Sequence, residues 1–280
     1  MSTAREKKYR AFVALHERPR AFVIPNPWNA GTAKILTSLG FEALATTSAG
    51  YAFAVGRLDS SGGLSREEIL GNAKEIAGAT HLPVSADLEN GFGHSAEECA
   101  HTIRIAADAG LVGGSIEDAT GDAGNPIYDF QIAVERVAAA ACVARECSLV
   151  LTARAENFLH GRLDLADTIR RLQAFEAAGA DVLYAPGLPD LDAIRQLCVS
   201  VTKPVNVVMG LKGARYSVAE LASAGVKRIS VGGAFARAAL GGFVRAAREV
   251  CDYGTFSFAS EAMPHAEARA FMSDGNQLSE

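Results

Sequence analysis

Ala109-Gly110-Leu111-Val112-Gly113-Gly114-Ser115-Ile116-Glu117-Asp118 is the stretch whose reading decides the architecture. A helical pattern stops on Gly110, where a residue without Cβ can adopt the left-handed conformation that closes a helix. A short apolar run, 112–117, then begins and ends in acids. The same punctuation recurs at Leu39-Gly40 before 43–47, at Ala178-Gly179 before 181–185, and at Ala224-Gly225 before 227–231. Four more runs, 21–24, 83–87, 149–154 and 204–208, fill the gaps, which makes eight strands. Between them the apolar residues return at helical spacing: Leu165, Ile169 and Leu172 precede the polar Glu176. Helices are also expected over 66–78, 96–109 and 132–146. Eight strands alternating with eight helices predict an α/β chain folded as a (β/α)8 TIM barrel in a single domain. An open doubly wound sheet is the competing arrangement, and no GxGxxG follows the first strand to support it. The barrel is expected over 1–251. From Asp252 the pattern loosens, and 252–280 reads as a C-terminal extension: a short helix with a disordered end, or an arm on a partner subunit.

Composition narrows the function classes. At 280 residues and 49% hydrophobic, the chain can bury a large core, which excludes disorder. Net charge is −5 with acids and bases interspersed, and no basic stripe suggests nucleic acid or an anionic membrane as partner. Residues 1–10 are polar and charged, unlike a secretory signal, and no apolar run reaches the ~20 residues that cross a bilayer. A soluble cytoplasmic protein is expected. The five cysteines, Cys99, Cys142, Cys147, Cys198 and Cys251, lack metal-site spacing and read as small buried thiols in a reducing compartment.

Barrel chemistry is placed at the C-terminal ends of strands. Strand two ends in Thr46-Thr47-Ser48-Ala49-Gly50, and Asp59 follows in a long loop. Strand three ends in Asp87-Leu88-Glu89, strand four in Glu117-Asp118, and strand five in Arg154-Ala155-Glu156. Residues i and i+2 of a strand share a face, so Asp87 and Glu89 can converge. Acids clustered around one arginine suit a hard cation and an anionic substrate. Each residue also has a structural explanation. Asp87 can be a solvated strand end or a cap, and Arg154 a partner for Glu117 or Glu156. His94 precedes the helix start at Ser95, while His81 and His101 look peripheral. Gly232-Gly233 suits either a phosphate at the next helix or close packing.

Asp87-Leu88-Glu89-Asn90-Gly91-Phe92-Gly93 is similar to the D-x-D-x-G-[FY]-G motif of the isocitrate lyase/phosphoenolpyruvate mutase superfamily. Ser115-Ile116-Glu117-Asp118 and Thr152-Ala153-Arg154-Ala155-Glu156 resemble its strand-four and strand-five motifs, and the likeness spans about residues 22–240. The resemblance implies a barrel, Mg²⁺ with Mn²⁺ as the alternative, a small carboxylate substrate, and homo-oligomers (tetramers or dimers of dimers) with the C-terminal helix swapped between subunits. It makes Asp87 the direct metal ligand and Asp59, Glu89 and Glu117 its water-mediated partners. It makes Arg154 the substrate carboxylate clamp and Ser48, Ala49 and Gly50 the substrate-oxygen site.

The chain departs from the family pattern in two places. Glu89 stands where the best-known members carry Asp. The loop after Glu117-Asp118 reads Ala119-Thr120-Gly121-Asp122-Ala123-Gly124-Asn125-Pro126, where isocitrate and methylisocitrate lyases carry K-[KR]-C-G-H. It holds neither lysine nor cysteine, and its glycines suggest a mobile lid. Catalytic candidates are therefore Arg154 and Glu117, with Thr120 and Asn125 on the loop. The expected activity is cleavage of a C–C bond in an oxo- or hydroxy-di- or tricarboxylate through an enolate. Phosphonopyruvate-type P–C chemistry and a non-catalytic carboxylate binder are the alternatives.

Overall fold

The computed structural model describes residues 3–59, 63–211 and 213–273. Its eight strands are β1 (Phe22–Ile24), β2 (Leu44–Ala45), β3 (Val84–Asp87), β4 (Gly113–Glu117), β5 (Val150–Arg154), β6 (Val182–Tyr184), β7 (Val205–Val208) and β8 (Arg228–Ser230). All are parallel, paired in the order β1-β8-β7-β6-β5-β4-β3-β2. An open doubly wound sheet would reverse order at a switch point. Here β1 pairs with β8, so the barrel expectation holds. The gap between β1 and β2 is bridged by Ala45 N–H, which donates to Pro25 O at 3.0 Å. Asn26 adds a clasp: its amide donates to Thr46 O at 2.9 Å, and its oxygen accepts from Val231 and Gly232 N–H, both at 2.9 Å.

All eight expected strands are present, most of them trimmed by about a residue at their ends. Strand two shortens most, because Thr47 leaves the sheet to cap the next helix and accepts Gly50 N–H at 3.2 Å. The described helices number more than eight. They are α1 (Ala4–Glu17), α2 (Ala30–Ser38), α3 (Ser48–Ala54), α4 (Arg66–Gly78), α5 (Ala96–Asp108), α6 (Phe130–Glu146), α7 (Leu165–Ala177), α8 (Leu191–Ser200), α9 (Val218–Ser223), α10 (Ala234–Tyr253) and α11 (His265–Met272). Ser65 with Glu68, and Ser95 with Glu98, form capping boxes that start α4 and α5. His94 sits just outside the second of these, as expected.

Helix α1 was not anticipated. It inserts Phe12 and Leu15 among Phe22, Val112, Val150 and Val182, stopping the N-terminal end of the barrel. Gly113 makes room: a Cβ there would lie 2.6 Å from the Phe12 ring and 2.8 Å from Ser85 Oγ. Above the plug the interior is polar, where barrels of this type are filled by branched apolar residues. Arg228 crosses it, donating from Nε to Asn206 Oδ1 at 2.8 Å and from Nη2 to Thr152 Oγ1 at 2.9 Å, and facing His16 Nε2 at 3.5 Å. Burial and the neighbouring Arg228 push His16 down to about 3, so the imidazole is neutral and can accept. Burial also lowers Arg228 to about 10.

The cysteine reading needs correction. Cys99 is buried, but Cys142 and Cys251 are exposed, because they fall on the solvent sides of α6 and α10. Helix α10 buries only Ala236 and leaves Leu240, Phe243 and Val244 bare. Helix α11 returns to α2 of the same chain, where Lys34 Nζ donates to Met272 O at 3.0 Å. No helix among the described residues is long and apolar enough to cross a membrane.

Candidate active site

The C-terminal ends of the strands open onto a cavity of about 590 Å³. Asp59, Asp87, Glu89, Glu117, Arg154, Ser48 and Ala49 all line it, as do the unanticipated Tyr184, Asn206 and Arg228. Gly50 does not. Its nitrogen is turned to Thr47 inside α3, and a Cβ on it would lie 2.6 Å from Thr47 Cγ2. Gly232 and Gly233 line the rim.

Arg154 is the hub. Its Nη1 meets Asp87 Oδ1 at 3.0 Å, Nη2 meets Glu117 Oε2 at 3.2 Å, and Nε meets Glu156 Oε1 at 2.8 Å. The ladder explains this, because Glu117 and Arg154 are direct partners across β4 and β5. The other oxygen of Asp87 accepts from Ser48 Oγ at 3.0 Å and from Ser48 N–H at 3.3 Å. The structural explanation of Arg154 therefore applies. It pairs with Glu117 and Glu156, yet a guanidinium carries five donors, so N–H groups remain for a substrate carboxylate.

Asp87 and Glu89 converge, but not by strand alternation. Strand β3 ends at Asp87, and Glu89 takes φ +48°, the left-handed region that non-glycine residues avoid. Its carbonyl still accepts Glu117 N–H at 3.0 Å, which holds the turn against β4. Two residues on, Gly91 is obligatory: φ is +83°, and a Cβ would sit 2.9 Å from Cys99 Sγ. Burial, then Asp87 and Asp59, raise Glu89 to about 7. Glu117 is raised well above the carboxylate range by burial, against the opposing pull of Arg154. Asp59 is raised by burial and by Asp87.

Thr120 and Asn125 are not brought to the cavity. The loop folds as a closed hairpin with a bridge between Ala119 and Ile127. The Thr120 hydroxyl is spent inside it, donating to Asn125 O and accepting from Asp122 N–H at 2.9 Å. Asn125 is exposed at the tip. Tyr128 anchors the far end, with its ring under the Arg136 guanidinium (4.2 Å) and its hydroxyl 2.6 Å from His94 Nδ1. Tyr184, Asn206 and Arg228 escaped sequence reading because they are polar residues inside apolar strands. Their signal was the i, i+2 alternation of the last three strands.

No three His, Cys, Asp or Glu among the described residues are grouped closely enough to cage a metal directly. The donor set fits a different kind of ion. Asp59, Asp87, Glu89, Glu117 and Glu156 face one interacting arginine in a half-enclosed space, and burial and mutual repulsion raise three of them. A hard dication that keeps most of its water and takes few direct carboxylates relieves that repulsion.

This barrel, with its acids gathered at one mouth around an arginine, is that of the isocitrate lyase/phosphoenolpyruvate mutase superfamily. The chain belongs to the phosphoenolpyruvate phosphomutase family, whose profile matches residues 12–251. A crystal structure of a Burkholderia cenocepacia J2315 protein, provisionally termed a lyase/mutase, is 56% identical; the match covers 96% of this chain and 97% of that one, with a TM-score of 0.94. The crystal structure of 2,3-dimethylmalate lyase is 26% identical over 96% of this chain and 95% of that one, with a TM-score of 0.84. The 2-methylisocitrate lyase of Escherichia coli K12 is 28% identical over 202 residues, 70% of this chain and 68% of that enzyme.

Proposed function

We propose that the protein is a Mg²⁺-dependent lyase that cleaves a C–C bond in a small oxo- or hydroxy-di- or tricarboxylate. One observation carries this reading: a surplus of carboxylates bound to and surrounding Arg154 at the barrel mouth. Asp87 would hold Mg²⁺, or Mn²⁺ in its place, with Asp59, Glu89 and Glu117 reaching it through water, and the ion would supply Lewis-acid polarisation of the substrate oxygens. Arg154 then offers its remaining N–H groups to the substrate carboxylate. Ser48 and Ala49 border the substrate oxygens, and Ser48 also fixes Asp87. Glu117, raised by burial against the pull of Arg154, is the second carboxyl of the catalytic pair with Arg154. The 119–128 hairpin acts as the lid that keeps water from the reactive product.

The test is NMR of oxaloacetate, 2-methylisocitrate and phosphonopyruvate incubated with protein and MgCl₂. Turnover of a carboxylate substrate that disappears in Asp87→Ala, with the fold intact, is expected. Turnover of phosphonopyruvate alone would move the reading to P–C chemistry. Tight oxalate binding with no turnover would make the protein a binder. The same reading includes homotetramers in which a second copy covers the bare side of α10, and a monomer in sedimentation at micromolar concentration would remove that part.

A further inference from the structure

The cavity holds a phenol that has no assignment. Tyr184 closes β6, opposite Arg154 on β5 and Asn206 on β7. All three line the cavity. The Arg154 guanidinium carbon stands 5.0 Å from the centre of the Tyr184 ring, on which it stacks. Among the described residues the phenol oxygen makes no hydrogen bond. Ser48 donates to Asp87, Thr46 accepts from Asp87 N–H at 2.9 Å, and Thr47 caps α3. Ser85 and Ser115 also line the cavity, buried on β3 and β4, but an aliphatic hydroxyl is a far weaker proton donor than a phenol. The described residues lining the cavity include no lysine and no cysteine, so the proton donor that the loop does not carry must come from elsewhere.

We propose that Tyr184 donates the proton to C3 of the enolate formed from a 2-oxo dicarboxylate substrate. The step rests on the lyase reading above and narrows its substrate class. The C3–C4 bond breaks and C4 departs as carbon dioxide. The bonding pair passes into the C2–C3 double bond of the enolate. C3 takes the Tyr184 O–H proton and becomes a methyl or methylene carbon of the 2-oxo product. The phenolate left behind lies against the Arg154 guanidinium, which stabilises it, and regains a proton from water. Burial and the carboxylates Glu156, Asp87 and Glu117 hold the phenol protonated well above its usual range, opposed by Arg154, so the donor is loaded at neutral pH. The rival donor on the rim is His160, which lines the cavity from an exposed loop position.

Protonation of an enolate and proton removal from its keto form share one transition state, so exchange reads the step without the native substrate. The full-length protein is incubated with MgCl₂ and pyruvate in D₂O, and loss of the methyl signal is followed by NMR. Mg²⁺-oxalate binding is measured in parallel by calorimetry. Wild type is expected to exchange the methyl protons. Tyr184→Phe, which keeps the ring on Arg154, is expected to slow exchange by about 100-fold or more with oxalate affinity little changed. His160→Gln is expected to keep wild-type exchange. Wild-type exchange in Tyr184→Phe, loss of exchange in His160→Gln, or oxalate binding with no exchange in wild type would each overturn the assignment to Tyr184. Absence of both oxalate binding and exchange in wild type would instead remove the lyase reading, and this step with it.

Discussion

Asp118 and Arg171 meet 3.1 Å apart with side chains only 1% and 5% exposed, directly behind the site. Asp118 also accepts Glu156 N–H at 2.8 Å, and Arg171 donates to Tyr128 O at 3.0 Å. The pair thus ties the backbone beside Arg154 to the end of the 119–128 hairpin. Breaking a buried pair strands a charge in low dielectric. Arg171→Met is expected to cost about 3–5 kcal/mol in urea unfolding, and adding Asp118→Leu to recover much of that loss. Equal losses in the single and double variants would show that packing, not charge, is at stake.

Asp167 contributes to acid stability. Burial raises its pKa, but hydrogen bonds from Arg170, Arg171 and Asn157 outweigh that and hold it down to about 2. A carboxylate depressed in the folded state stabilises above its unfolded pKa and loses that contribution as pH falls through the folded value. Between about pH 4 and pH 2 the wild type should therefore lose about 2 kcal/mol through this group. Asp167→Asn should flatten that part of the stability–pH curve, as thermal melts across the range would show.

Glu89 combines a left-handed backbone with a carboxylate that burial and its neighbours hold at about 7. Asn tolerates that conformation and carries no charge. Glu89→Asn is expected to raise stability at pH 8 by about 1–2 kcal/mol and to reduce the rise in melting temperature that MgCl₂ produces. A fall in melting temperature would mean that the glutamate is needed by the fold.

Gly113 admits Phe12 to the bottom of the barrel. Gly113→Val overpacks that contact and should cost about 2–3 kcal/mol in chemical denaturation. Gly113→Val combined with Phe12→Leu should regain part of it, and no recovery would place the strain in β4 itself.

The barrel was legible because helix, glycine and strand follow one another with short spacing, and the strand-end acids stand out at the close of apolar runs. Helix α1 was not legible: in Ala4–Glu17 only Phe12, Leu15 and His16 are buried, and the charged residues of its first half mask the plug. Asp87 and Glu89 were paired correctly for a reason the backbone does not follow, since Glu89 lies beyond the strand in a turn. Tyr184, Asn206 and Arg228 sit within strands, where their only signal is the alternation, whose inward face is not decided until the barrel closes. Thr120 reads as a free hydroxyl on a loop, because hydrogen bonds inside the hairpin depend on its fold rather than its spelling.

That hairpin has a consequence for how such proteins diversify. Its hydrogen bonds close within about ten residues, while its two ends are fastened to the barrel by Asp118 and Tyr128. The segment from Asp122 to Asn125 is therefore an interchangeable cartridge, whose chemistry can be rewritten by a few codons while the eight strands beneath it go on folding unaltered.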